Sequence, residues 1–378
     1  GRAGTAAREE RMRILAVDVG TGTQDVLLFD TTQEPENALK MVMPSPTRLL
    51  AGRIREATRA GEDLLLTGVT MGGGPCAWAA EQHIKAGHRA FATPDAARTF
   101  NDDLDEVVAM GVEVVGEEEA ARLAGVRRLE MRDLDYGALA AAFRAFDVDL
   151  DEVEVLALAV FDHGAAPPGI SDRLFRFGYL ADRIGEGRGL AGFAFPADEV
   201  PTSMTRLQAL ASTAPAGRQV MVMDTAPAAV LGALEDRHVR DRGEAVVVNV
   251  GNMHTLAFHL RDGQIAGLLE HHTGLLDRAK LEGLLAELAG GTISHDAVFA
   301  GHGHGALILD PGPASLEFVA VTGPRRGLLA GSPRLRPYLA VPHGDMMMAG
   351  CWGVVRACAR TLPWTREAIE EALDGSQV

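Results

Sequence analysis

The sequence has little cysteine, little lysine and no long apolar run. Its three cysteines, Cys76, Cys351 and Cys358, are too few for a disulfide framework, and their spacing matches no zinc or iron–sulfur motif. The longest uncharged apolar stretch, Met346 to Val355, is far shorter than the ~20 residues of a membrane-spanning helix. The chain opens with charged residues rather than an apolar signal peptide. We therefore expect a protein of the reducing cytoplasm, without a membrane partner.

Two common nucleotide-binding motifs are also missing. The three lysines, Lys40, Lys85 and Lys280, never precede Ser or Thr, which excludes a P-loop. The run Gly187 to Gly192 has dinucleotide-binding spacing, but no buried strand leads into it, so we interpret it as a chance match. The formal net charge of −16 argues against a broad nucleic-acid-binding surface and against an anionic membrane partner.

The order of apolar runs predicts a mixed α/β protein with two similar halves. The chain has 378 residues, 47% of them apolar, which suits two globular domains. Each half opens with a β-hairpin, Arg13 to Asp30 in the first and Ala245 to Leu260 in the second. We therefore divide the chain into a disordered tail (1–11), an N-terminal lobe (12–222) and a C-terminal lobe (223–378).

Strands and helices alternate between and after the hairpins. A buried strand, Leu64 to Thr70, runs into Gly72-Gly73-Gly74-Pro75, and this composition suits a turn from a strand into a helix. Helices are predicted over 94–110 and 345–359. The segment 162–201 is rich in Gly, Pro and Arg, which predicts a long functional loop with short helices.

Both hairpins carry turn residues that suit a phosphate group. Asp18-Val19-Gly20-Thr21-Gly22-Thr23-Gln24-Asp25 offers small residues, which let backbone N–H groups approach a polyanion, and hydroxyl donors. Asp18 ends its strand and could hold Mg²⁺ through water. Asn249-Val250-Gly251-Asn252-Met253-His254-Thr255 repeats the layout. A plain turn explains either hairpin alone, but two of them heading two similar halves favour a shared phosphate site.

Three further segments also combine small residues with a helix start or a strand end. Met223-Asp224-Thr225-Ala226-Pro227 opens a helix of small residues, with Asp224 as a candidate N-cap. Phe318 to Arg326 is a strand that runs into a turn of small residues. Pro342-His343-Gly344-Asp345 precedes a helix that begins with small residues, which suits close packing.

In their order along the chain, these five segments resemble the actin, sugar-kinase and heat-shock-chaperone ATPase superfamily. The resemblance implies an α/β, two-lobed, actin-like ATPase (ribonuclease H-like) fold, with a duplicated mixed β-sheet, flanking helices and an interlobe cleft for ATP and Mg²⁺. It implies that Asp18 holds the metal and that Asp224 accepts the proton of the substrate hydroxyl. The implied nucleotide contacts are Gly20, Thr21, Gly22, Thr23, Asn249, Gly251, Asn252, His254, Thr255, Thr322, Gly323, Arg325, Arg326, Gly344 and Asp345.

A closer resemblance is to a prokaryotic family whose members are often labelled pyruvate formate-lyase activating enzymes. The segments around Gly72, Asp162, Asn249 and Glu270 carry it. The label does not fit the chemistry, because a glycyl-radical activase needs an iron–sulfur cluster on closely spaced cysteines. The candidate substrate contacts are Gly72, Gly73, Gly74, Asp162, His163, Glu270, His271 and His272.

These features predict ATP-dependent phosphoryl transfer to a small polar metabolite. The chaperone ATPases carry Asp where this chain has Asn249, which cannot be a charged metal ligand, so a sugar-kinase-like mechanism is favoured. Two alternatives stay open: a nucleotide-switched ATPase that remodels or reactivates a partner enzyme, and a non-catalytic binder of nucleotide or metal. A homodimer is one assembly that the sequence allows.

Several histidines fall in predicted loops, but their spacing matches no zinc motif. We interpret Gly301 to Gly305 as a flexible turn rather than a set of metal ligands. The histidines of this group are His163, His254, His271, His272, His302, His304 and His343.

Overall fold

The computed structural model describes residues 11–185, 187, 189–311 and 317–375. The tail predicted over 1–11 lies outside these residues except for Arg11. The Arg11 guanidinium pairs with Asp30 (Nη2–Oδ2, 2.8 Å) and with Glu152 (Nη1–Oε2, 3.2 Å). Arg11, which the sequence assigns to the tail, therefore contacts the first lobe.

Sixteen strands occur in the described part of the chain. They are β1 Arg13–Val19, β2 Thr23–Asp30, β3 Leu39–Pro44, β4 Asp63–Gly68, β5 Ala90–Ala92, β6 Val112–Val114, β7 Val126–Met131, β8 Val155–Val160, β9 Ala194–Pro196, β10 Gln219–Asp224, β11 Glu244–Val250, β12 His254–Arg261, β13 Gln264–His272, β14 Gly305–Ile308, β15 Val319–Thr322 and β16 Tyr338–Leu339.

The α-helices of the same residues number fourteen. They are α1 Pro46–Ala60, α2 Pro75–Lys85, α3 Pro94–Ala97, α4 Leu104–Ala109, α5 Glu117–Arg122, α6 Tyr136–Arg144, α7 Asp172–Gly185, α8 Thr205–Ser212, α9 Thr225–Ala233, α10 Arg237–Arg240, α11 Arg278–Ala289, α12 His295–Ala300, α13 Ala349–Thr361 and α14 Arg366–Asp374. Within the described residues, no helix is both long and apolar enough to cross a membrane.

Two six-stranded sheets repeat one topology. The first has the order β3-β2-β1-β8-β10-β9, in which β1 to β3 are antiparallel and β8 and β10 run parallel to β1. The second has the order β14-β13-β12-β11-β15-β16, with β11 to β14 antiparallel and β15 and β16 parallel to β11. Each sheet thus has an antiparallel meander followed by two parallel strands, and in the first sheet the edge strand β9 is antiparallel to β10. This duplicated ribonuclease H-like order confirms the two-lobed actin-like ATPase fold.

A third sheet, β6-β5-β4-β7, is entirely parallel and is inserted into the first lobe between β3 and β8. The sequence analysis did not separate it from the first sheet. Its core is packed by apolar residues of α1 and α2, among them Ile54 and Ala79. The turn Gly72–Gly74 follows the carboxyl end of β4, the edge of a parallel sheet at which ligands usually bind.

Helices α9 and α13 pack against each other between the two large sheets. Helix α13 contacts β1, β2 and β8, whereas α9 contacts β11, β12 and β15. The helices approach closely because a Cβ on Gly232 would overlap the carbonyl oxygen of Ala349, and a Cβ on Gly353 would overlap that of Ala228. The fully buried Trp352 meets Phe29 edge-on, with ring centroids 5.8 Å apart. The expected lobe boundary, between 222 and 223, falls inside β10.

Three predicted elements differ in the structure. The helix predicted over 94–110 is broken into α3 and α4, because the Asn101 side chain accepts from the N–H of Asp103 and Asp103 then caps α4. The segment 162–201 contains the 14-residue helix α7 rather than only short helices. The last predicted helix starts at Ala349 instead of Asp345, after two 3₁₀ turns.

Candidate functional site

The first hairpin places carboxylates and a tight turn at one end of β1. Asp18 and Asp25 are directly opposed in the β1–β2 register. The N–H of Gly20 donates to the carbonyl of Thr23 (2.9 Å), which closes the turn. Gly20, Thr21 and Thr23 line a cleft of ≈ 380 Å³, a volume within the ~300–1,000 Å³ of small-molecule sites. The turn thus offers backbone and hydroxyl donors to this cleft.

The second hairpin faces the same cleft from the other sheet. The N–H of Gly251 donates to the carbonyl of His254 (3.0 Å), and a Cβ on Gly251 would lie 2.7 Å from that oxygen. Asn249, Gly251, Asn252 and His254 line the cleft. The two turns also meet, because a Cβ on Gly22 would lie 2.5 Å from Nδ2 of Asn252.

Asp18 and Asp25 form a buried acidic pair in the cleft lining. The Thr225 hydroxyl donates to Oδ1 of Asp18 (2.6 Å), whereas Oδ1 of Asp25 has no hydrogen-bond partner among the described residues. Burial, opposed by the Thr225 hydrogen bond, raises the pKa of Asp18 to about 6. Burial and the Asp18 charge raise the pKa of Asp25 to about 8. A divalent cation would offset this repulsion, so the pair can hold Mg²⁺. Asp25 closes the first motif of the sequence but was not among the predicted site residues, although the hairpin register places it opposite Asp18.

The start of α13 packs directly on these acids. A Cβ on Gly350 would overlap the Asp18 carboxylate, so only glycine allows this approach. Asp345, a predicted nucleotide contact, instead accepts from the N–H of Met347 (3.0 Å) and caps the 3₁₀ turn before α13.

Asp224 ends β10, but its carboxylate belongs to a buried ion-pair network. It caps α9 by accepting from the N–H of Ala226 (3.2 Å). Both of its oxygens contact the guanidinium of Arg176, which comes from α7 (Nη2–Oδ1, 3.1 Å; Nη1–Oδ2). Glu270, a predicted substrate contact, binds the same guanidinium (Nη2–Oε1, 3.1 Å). Burial raises the pKa of Asp224, and Arg176 opposes that rise. Asp224 could act as the predicted base only if Arg176 released it.

The cleft continues between the turn Gly72–Gly74 and the end of β8. Asp162 and His163, two of the predicted substrate contacts, line this part of the cleft. The Asp162 carboxylate accepts from the N–H groups of Gly164 (2.8 Å) and Leu207 (2.9 Å). Burial raises the pKa of Asp162 despite these two hydrogen bonds.

Several residues of this wall were not predicted. Arg98 and Asp102 line the cleft because they fall in the break between α3 and α4. Arg206 also lines it and supports the glycine turn: its Nε contacts Oδ2 of Asp133 (2.7 Å), whose Oδ1 accepts from the N–H of Gly72 (3.1 Å). These side chains come from distant segments, so no local sequence signal links them.

Thr322 and Gly323 of the second lobe line the cleft. Other predicted nucleotide contacts of this lobe, such as Thr255 and Arg326, do not line it. Thr255 is buried and shares a hydrogen bond with Thr273 (2.9 Å). Nη1 of Arg326 donates to the carbonyl of Ala340 (2.9 Å). The predicted site residues that are described by the structure and do not line the cleft are Gly22, Asp224, Thr255, Glu270, His271, His272, Arg325, Arg326, Gly344 and Asp345.

Comparison with known proteins identifies a family and several similar structures. The family described as "Putative pyruvate format-lyase activating enzyme (DUF1786)" matches residues 71–328, more than half of the chain. Among curated proteins, none matches the chain in sequence.

Three solved structures of similar fold have low sequence identity. Inorganic polyphosphate/ATP-glucomannokinase from Arthrobacter sp. strain KM is 14% identical, with a TM-score of 0.35 over 92% of this chain and 99% of that chain. ROK hexokinase from Thermus thermophilus is 14% identical, with a TM-score of 0.30 over 94% and 100%. Ethanolamine utilization protein EutJ from Carboxydothermus hydrogenoformans is 12% identical, with a TM-score of 0.32 over 92% and 90%. The fold assignment rests on the strand order of the two large sheets.

Proposed function

We propose that this chain, which belongs to the DUF1786 family, binds Mg·ATP in the interlobe cleft and transfers its terminal phosphoryl group to a small polar molecule. One observation carries the proposal: two glycine turns from matching sheets meet across a cleft beside a buried pair of carboxylates. Backbone N–H groups suit phosphate oxygens, and carboxylates suit Mg²⁺. Phosphoryl transfer needs mainly this positioning and neutralisation of charge.

In this proposal the cation lies at the acidic pair and the phosphates lie between the turns. Asp18 and Asp25 would hold Mg²⁺, because burial raises the pKa of both carboxyls and a bound cation would stabilise their charged forms. The N–H groups of the two turns, together with Thr21 and Thr23, donate to the phosphates. The adenosine lies toward the turn at Gly323, on the second lobe.

We assign to Asp162 the role of accepting the proton of the acceptor hydroxyl. It lines the cleft next to the glycine turn, and its raised pKa suits a general base. Asp224, the base that the sugar-kinase resemblance implies, is occupied by Arg176 in this structure. The acceptor therefore lies near Asp162, Arg98 and His163.

The family description names an activating enzyme, and the iron–sulfur cluster that a glycyl-radical activase needs does not fit these residues. Cys76 lies in α2, beside the parallel sheet, whereas Cys351 and Cys358 lie two turns apart on α13. All three thiols are buried, and burial raises the pKa of each. An iron–sulfur cluster needs thiolates converging on one place, so this cysteine set cannot hold one.

Calorimetry with ATP, ADP and GTP, with and without Mg²⁺, tests the proposal, followed by a screen of metabolites for stimulated ADP release. We expect Mg²⁺-dependent binding of at least one nucleotide. Asp18→Ala should lose that dependence and keep its circular dichroism spectrum. Failure of every nucleotide to bind at millimolar concentration would overturn the proposal. Binding without stimulation by any metabolite would favour the nucleotide-switched ATPase instead.

A further inference from the structure

Three histidines meet at one edge of the second large sheet. His254 is the first residue of β12, His272 is the last of β13, and His304 directly precedes β14. The register pairs His254 with His272, and it pairs Gly305, next to His304, with Glu270. Three neighbouring antiparallel strands therefore bring one imidazole each to the same place.

The three rings surround a common point. Their centroids are separated by 5.0 Å (His254 to His272), 5.1 Å (His254 to His304) and 4.7 Å (His272 to His304). One nitrogen from each ring lies within 4.8 Å of the other two. Ligand nitrogens ~2.0–2.1 Å from a tetrahedral zinc ion lie roughly 3.3 Å apart. Small rotations of the rings would bring the nitrogens to that spacing.

His304 is buried, and one of its ring nitrogens accepts or donates no hydrogen bond among the described residues. It is 3% exposed, and its Nδ1 has no hydrogen-bond partner among the described residues. Leaving a buried polar group unpaired costs about 1–3 kcal/mol. Coordination to a metal would satisfy this nitrogen, which lies beside two other potential nitrogen ligands.

The surrounding chain is shaped around His304. A Cβ on Gly303 would lie 2.5 Å from the Val298 side chain and 2.7 Å from the His271 ring. A Cβ on Gly305, where φ is +155°, would lie 2.5 Å from the His295 ring. Only glycine fits on either side of His304, so the run that the sequence predicts as a flexible turn packs closely around one imidazole.

His254 is held by a stack of aromatic and cationic groups. Its ring lies 4.0 Å from that of Phe161, with an angle of 2° between the planes. The Arg176 guanidinium covers the Phe161 ring at 4.4 Å. Phe161 and His254 both line the cleft, so one side of the histidine cluster faces the acceptor region.

The imidazoles are neutral at physiological pH. Burial, followed by neighbouring histidines and Arg176, lowers the pKa of His254 well below its usual value and that of His304 to about 2. Burial also lowers the pKa of His272. Neutral imidazoles do not attract a phosphate, but they are the form that binds a metal.

We propose that His254, His272 and His304 bind one divalent transition-metal ion of the Zn²⁺ class, with an open coordination position toward the interlobe cleft. Three-histidine sites typically leave the fourth position to water or substrate. The ion differs from the Mg²⁺ of the proposed ATP site, because Mg²⁺ prefers oxygen ligands and imidazole suits zinc, cobalt or nickel. Water, or an oxygen atom of a molecule bound in the cleft, is the ligand that such an ion would take at its open position. The proposal does not depend on phosphoryl transfer.

The test is direct titration of the full chain, stripped with a chelator, with Co²⁺ alone and then Zn²⁺. We expect one Co²⁺ per chain to give the ligand-field absorption bands of tetrahedral nitrogen coordination, apart from any Co²⁺ at the acidic pair, and Zn²⁺ to displace it. His304→Ala and His272→Gln should each weaken Co²⁺ binding at least about 100-fold, since even loss of a residue that only supports a ligand costs 10–100-fold. His238→Ala, at a side chain that is 73% exposed on α10, is the matched control and should bind as wild type.

Two further results separate this site from the acidic pair. Asp18→Asn should keep its Co²⁺ bands, and if it loses them the metal lies at the carboxylates and the proposal fails. The proposal also fails if wild type shows no Co²⁺ bands, or if a folded His272→Gln variant binds Co²⁺ as tightly as wild type. Because His272 is only half-buried, this variant should fold even if His304→Ala does not. None of these measurements involves ATP, so failure of the proposed phosphoryl transfer would be seen separately.

Discussion

At the scale of single residues, Asp25 links the stability of the protein to metal binding. The pKa of its carboxyl is about 8 in the folded protein, against an ordinary value of 3.8. Between about pH 4 and pH 8 the folded state therefore keeps a proton that the unfolded chain has lost. The stabilisation that this proton gives the folded state is fully present below pH 4. As pH rises toward 8, the free energy of unfolding falls by up to about 1.4 kcal/mol for each pH unit.

Asp25→Asn removes this pH-dependent fall in the free energy of unfolding, and it also removes a proposed metal ligand. We expect the variant to gain free energy of unfolding relative to wild type as pH rises from 5 to 8, measured by urea unfolding without metal. We also expect its Mg²⁺-dependent ATP affinity at pH 8 to fall at least about tenfold, equivalent to 1.4 kcal/mol. ATP binding in the presence of a chelator serves as the control. A difference in stability that does not change with pH would contradict the account of Asp25.

At the scale of elements, one buried guanidinium joins a helix and two strands. Arg176 of α7 binds Asp224, between β10 and α9, and Glu270 of β13. All three side chains are almost fully buried. Removing one partner of a buried ion pair typically costs about 3–5 kcal/mol, because the other charge is left without compensation. The network therefore holds the first large sheet to the second.

Asp224→Asn tests whether Asp224 is structural or catalytic. Asn caps a helix nearly as well as Asp, so the loss of the ion pair alone should lower the free energy of unfolding, by about 3 kcal/mol. Asp277→Asn is a matched control, because Asp277 is an exposed N-cap of α11 that accepts from the N–H of Lys280 (2.8 Å). It should change stability little. Unchanged stability of Asp224→Asn, together with lost turnover and an active Asp162→Asn variant, would restore Asp224 as the base.

At the scale of the whole molecule, the two lobes touch at the mouth of the cleft. The turn of the first hairpin meets that of the second at Gly22 and Asn252. The lobes are also joined by the close packing of α9 on α13, by the ion pairs of Arg176 and by the stacking of Phe161 on His254. We expect ATP to enter only when the lobes separate, with these two helices as the hinge.

A disulfide across the two turns should therefore block ATP. A Cβ on Gly22 would lie 3.4 Å from Cγ of Asn252, close enough to suit a disulfide between Gly22→Cys and Asn252→Cys. The native cysteines are buried, so the new pair should be the one that oxidises. We expect the oxidised double variant to bind ATP at least about tenfold more slowly, and a reductant to restore the rate. The single variants under the same oxidant are controls, and wild-type binding by the oxidised pair would show that the lobes need not open.

The sequence by itself determined the features that depend on neighbouring residues. The turns at Gly20 and Gly251, the carboxylate at Asp18 and the repeated strand pattern were all predicted, because turn chemistry and periodicity are local. The break at Asn101 is also local, since short polar side chains there bond to the nearby backbone, and it could have been predicted.

Only the tertiary structure decided which distant residues meet. Arg176 lies 48 residues from Asp224 and 94 from Glu270, and no periodic pattern connects them. The histidines at 254, 272 and 304 match no motif, because strand register rather than spacing brings them together. The separate parallel sheet and the position of Arg98 in the cleft also depend on contacts between distant segments. Such contacts depend on how strands pair and loops close over long stretches of chain, which local side-chain patterns do not encode.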